Sequence, residues 1–106
     1  MLRELELKID CSNHLKFQYE KDIKYFENWN TYLNYEYEQS YEVFFNDTYL
    51  TPQKFEQLDQ YRQSIIDRLA LNNNSIQELK EKLKKQECIH LLLTKCYYMI
   101  DNFSIM

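Results

Sequence analysis

Three cysteines and two histidines offer the most chemistry in this sequence. Cys11 and His14 stand three apart, a spacing that puts both on one helix face. Cys88, His90 and Cys96 lie near the other end of the chain. Antiparallel helices would bring the two groups together, and thiolates with imidazoles are a zinc donor set. Against a metal centre, no Cys-x-x-Cys pair is present, and Cys88 and His90 do not share a helical face. Two residues apart on a helix, they point about 200° apart, so they do not form a local nucleophile–base pair. Glu56 and Asp59 pair two carboxylates at helical positions, where a solvated charged face is expected. Without any Gly, no flexible loop can cradle a phosphate. The sequence predicts no catalytic residue, no cofactor and no metal ligand, hence a protein that is not an enzyme.

The elements that position these residues follow from what the chain lacks. It has 106 residues, enough for a single domain over 1–106. With no Gly and only Pro52, turns requiring positive φ must use Asn or Asp, or be few. A helical bundle needs the fewest, so the expected class is all-α. A formal net charge of −4 leaves no basic stripe for nucleic acid. The opening, MLRELELK, is charged and lacks an apolar stretch, and an odd number of cysteines suits reduced thiols. The expected location is therefore cytoplasmic. The most apolar run, residues 89–100, falls short of the ~20 residues that span a bilayer, so no membrane partner is expected. No small-molecule substrate is expected either.

Apolar periodicity predicts a first long helix from about Arg3 to Phe45. Leu15, Tyr19, Ile23, Phe26, Leu33, Tyr37, Tyr41 and Phe44 mark one face, with a gap at Asn30. Leu5, Leu7 and Ile9 alternate instead, and are read as the helix start. A turn is expected near 46–51, at Asn46 and Asp47. Thr51 is a suitable N-cap, Pro52 suits the first helical position, and Leu50 can staple onto Phe55. Phe55, Leu58, Tyr61, Ile65 and Leu69 then continue as a helix. Residues 72–75 are ambiguous. Three Asn followed by Ser75 and Glu78 read as a turn and a capping box. The steps through Ile65, Leu69, Asn72, Ile76, Leu79 and Leu83 run without a slip, and one Asn in a coiled-coil stripe can fix register. Helix is expected onward to about Asp101, with His90, Leu91 and Ile100 among its apolar or semi-polar positions. Residues 101–106 read as a frayed end. The expected architecture is an antiparallel three-helix bundle with a long first helix.

Tyr25, Trp29, Tyr32 and Tyr35 form a second stripe on the first helix, roughly 100° from the Phe26–Leu33–Tyr37 face. One core does not easily bury both. Either the helix is sandwiched between two neighbours, or part of the stripe meets a partner, since Tyr and Trp favour interface anchors. A+T-rich codon usage would also raise Tyr, Asn and Lys together. The bland alternative for the whole chain is a helical protein-interaction module, such as a small adaptor or a phage-type inhibitor, using this aromatic face.

The middle of the chain resembles a known family. Asp47-x-Tyr49, then Gln53, then Leu58-x-x-x-Arg62-x-x-Ile65-x-Asp67 is similar to the middle of tubulin-binding cofactor A. That family reads Asp-Pro-Tyr-Asp-Leu-Lys-x-Gln and then Leu-x-x-Ser-Arg-Met-Met-Ile-Pro-Asp. Leu79-Lys80 and Leu83 extend the likeness, and Leu5-Glu6-Leu7-Lys8 is similar to the family's opening. Thr48 and Ile66 stand where the family has Pro, Gln63-Ser64 replaces its Met-Met pair, and the last twenty residues match poorly. The resemblance implies a three-helix bundle whose second helix is long, which favours a continuous helix through Asn72. It implies a cytoskeleton-associated, non-catalytic tubulin-folding cofactor. Such a protein binds β-tubulin released from the chaperonin and passes it on for heterodimer assembly. Carried onto this chain, Asp47 and Tyr49 would shape the turn, and Arg62 would offer a charged contact. With the aromatic stripe, the candidate partner-binding residues are Tyr25, Trp29, Tyr32, Asp47, Tyr49 and Arg62. The sequence leaves open whether two copies pair as a homodimer.

Overall fold

The structure is a computed structural model. It describes the backbone of residues 1–46 and 51–105 and the side chains of 1–42 and 51–103. Two helices account for it: α1, Leu2–Asn46, and α2, Pro52–Ile105. The all-α expectation holds, and no strand occurs among the described residues. No described residue has positive φ, since the described residues are almost wholly helical. The cap at Thr51 is formed: its Oγ1 accepts the Lys54 N–H at 3.2 Å. Asp47, Tyr49 and the Leu50 staple lie outside the described residues.

The three-helix expectation is not met: the described residues form two helices. α2 runs through 72–75 without a break, so the capping-box reading of Ser75 and Glu78 is corrected. The reason lies in the stripe. Asn72 is only 1% exposed, and its Nδ2 donates to Asn30 Oδ1 at 3.0 Å. A paired Asn on the buried side outweighs the weak helix propensity of the Asn run. The frayed end is corrected too, since α2 continues to Ile105. Leu5, Leu7 and Ile9 are helical, with Leu7 turned outward.

The chain divides into two compact units. One comprises Met1–Ile23 with Gln77–Met106, the other Lys24–Ile76. In the first, Ser12 accepts Gln86 Nε2 at 2.7 Å, and Tyr97 OH donates to Glu6 at 3.0 Å. Rising numbers on α1 meet falling numbers on α2, so the two segments run antiparallel. The less exposed α1 positions are Leu2, Leu5, Ile9, Ser12, Lys16, Tyr19 and Ile23, at steps of three and four. That is the spacing of a coiled-coil seam. On α2 the matching positions are Leu79, Leu83, Gln86, His90, Leu93, Tyr97 and Ile100.

The second unit repeats the arrangement. Asn30 meets Asn72 and Asn73, and Glu36 meets Tyr61, again antiparallel. Its seam holds Phe26, Asn30, Leu33, Tyr37 and Ser40 on α1, with Leu58, Arg62, Ile65, Leu69, Asn72 and Ile76 on α2. The apolar face expected on α1 is therefore corrected by a small rotation. Leu15 and Tyr41 stand outside the seam, Ser12 and Ser40 stand within it, and the gap at Asn30 is filled by Asn30 itself. On α2, Phe55, Tyr61 and Leu91 are exposed. Among the described apolar side chains, Ile23 and Ile65 are the buried ones, 8% and 4% exposed. Each is worth roughly 2 kcal/mol relative to exposure. A seam between two helices shelters one narrow stripe on each, and many large apolar residues stay outside it.

Candidate interaction surface

In the Lys24–Ile76 unit, α1 presents an aromatic ridge. Tyr25, Trp29 and Tyr32 recur at steps of four and three, on the helix side next to the seam. Tyr25 lies edge-on to Phe26, with ring centroids 5.4 Å apart, and 6.1 Å from Trp29. Phe26 and Trp29 stack at 6.4 Å with an interplanar angle of 15°. The Arg68 guanidinium sits 4.0 Å above the Trp29 ring. A cation over an indole face is attracted by the ring quadrupole, and it covers one side of the only Trp. Trp29 is consequently half-buried, while Tyr25 is 61% and Tyr32 58% exposed. Tyr35 adds a further exposed ring.

Glu36 organises the far end of the ridge. Tyr61 OH donates to its Oε2 at 3.1 Å. The carboxylate charge also raises the Tyr32 pKa above the ordinary tyrosine value, and the hydrogen bond raises that of Tyr61. A phenolate beside a carboxylate is disfavoured, so both hydroxyls remain donors. Beside Glu36 the surface thus keeps the hydroxyls of Tyr32 and Tyr61 protonated.

Of the candidate residues, Tyr25, Trp29 and Tyr32 come together on this ridge. Arg62 does not join them. It is half-buried in the seam, with its guanidinium carbon 4.5 Å from the Tyr37 ring and 3.8 Å from the Tyr41 ring. A hydrogen bond with Tyr41 raises its pKa, and its Nε is shielded without a hydrogen-bond partner. That environment holds a cation between rings and does not offer it to a partner. Asp47 and Tyr49 lie outside the described residues.

The residues read for metal or nucleophilic chemistry do not converge. Cys11, Cys88 and Cys96 are exposed free thiols, and His14 is exposed. No group of three or more metal-ligating side chains occurs among the described residues. His90 is in the seam of its unit, with Nδ1 shielded and without a hydrogen-bond partner. No helix among the described residues is long and apolar enough to cross a membrane.

Within each unit, antiparallel helical segments pair along a polar-interrupted seam of heptad spacing, an all-helical arrangement of the coiled-coil kind. No family model, curated protein or solved structure matches the chain.

Proposed function

We propose that the chain is a non-catalytic module that binds another polypeptide along its helix faces. The observation that carries this reading is the exposure of Tyr25, Tyr32 and Tyr35 on one side of α1. Large rings with few rotatable bonds and a polar tip suit interface anchors, because ordering them costs little entropy. The Asn30–Asn72 contact holds the two helical segments of this unit in register, so the ridge is presented on a fixed backbone. The test is to replace Tyr25 and Tyr32 by Ser. The far-ultraviolet helical signal stays unchanged and partner capture is lost. Retained capture, or an unfolded variant, would overturn the reading.

A second reading keeps the resemblance and names the partner. The uninterrupted course of α2 through Asn72–Ser75 is what a tubulin-folding cofactor of the cofactor A type would have. The chain would shield apolar surface of β-tubulin between chaperonin release and heterodimer assembly. Gel filtration of the chain with β-tubulin at micromolar concentration tests it directly. A co-eluting complex supports the reading, and separate elution removes it while leaving the general module intact.

A further inference from the structure

We draw no further inference here: the strongest candidate, the groove of the Met1–Ile23 and Gln77–Met106 unit lined by Glu6, Asp10, Thr94, Tyr97 and Tyr98, is an acidic cluster beside two rings, and nothing in the structure shows what would fill it.

Discussion

Asn72 donates from Nδ2 to Asn30 Oδ1 at 3.0 Å across the seam, and Asn30 in turn donates to Asn73 Oδ1 at 3.0 Å. Asn72 is the most deeply buried large side chain described, in a seam that could have held Leu. A polar pair in such a place trades stability for a single register. Replacing Asn72 by Ala is expected to cost about 1–3 kcal/mol in urea unfolding, because the packing and the hydrogen bond are lost together. The Asn30→Leu/Asn72→Leu double variant should regain that stability and lose uniqueness of pairing. Cross-linking between cysteines introduced along α1 and α2 reads the register. A single cross-link pattern in the double variant would show that the pair does not set it.

The same pair explains how much of the molecule was legible. α1 was read within a residue at each end, because its apolar steps are regular and Asn46 follows them. The continuity of α2 was not decided, since composition at Asn72–Ser75 says turn while phase says helix. Composition describes residues singly, and Asn72 acts with a partner 42 positions away. The seam was read slightly rotated for the same reason: Ser12, Ser40 and Gln86 look like outward residues until their pairing is known. The exposed apolar residues Ile89, Leu92, Met99 and Phe103 were hidden among the seam positions that alternate with them. Where two stripes overlap on one helix, nearly every residue is apolar and no period stands out. Tyr25 and Tyr32 could be found because their stripe overlaps a polar stretch.

Burial in a two-helix seam is narrow, and its energetics follow. Ile65 is 4% exposed and Ile23 8%, whereas Leu71, on the same helix as Ile65, is 57% exposed. Ile65→Ala and Ile23→Ala are each expected to destabilise by about 2–4 kcal/mol. Leu71→Ala should stay within about 0.5 kcal/mol. Denaturant midpoints at constant m-value check the contrast. Similar costs at positions 65 and 71 would mean that something covers the outer face in solution.

Three tyrosine hydroxyls couple the fold to high pH. Tyr61 and Tyr97 donate to Glu36 and Glu6, and with Tyr32 all three have pKa values raised above 10.0. In the unfolded chain these phenols lose their protons first, so the folded state binds more protons in the window between the ordinary and the raised values. Their contribution is complete below pH 10 and is lost as pH rises through the folded values. Glu36→Gln is expected to lower the phenolate midpoints of Tyr32 and Tyr61 and to leave Tyr97 unchanged, by ultraviolet difference absorbance. An unmoved titration curve would refute the Glu36 contacts.

Trp29 reports on the aromatic ridge without any label. It is the only Trp, and the Arg68 guanidinium lies 4.0 Å from its ring on one face while Phe26 stacks at 6.4 Å. Removing the cation exposes indole to water without touching the seam, because Arg68 is an exposed position on α2. Arg68→Ala should shift the emission to longer wavelength and raise its quenching by acrylamide, with the helical signal preserved. Arg68→Lys keeps the charge but not the planar group that lies flat on an indole, and should fall between the two. A partner seated on Tyr25 and Tyr32 would shift the emission the other way, toward shorter wavelength, in wild type and in Arg68→Ala alike. If Arg68→Ala leaves both emission and quenching as they were, the guanidinium does not cover the ring in solution, and Trp29 belongs with Tyr25 and Tyr32 to the open surface.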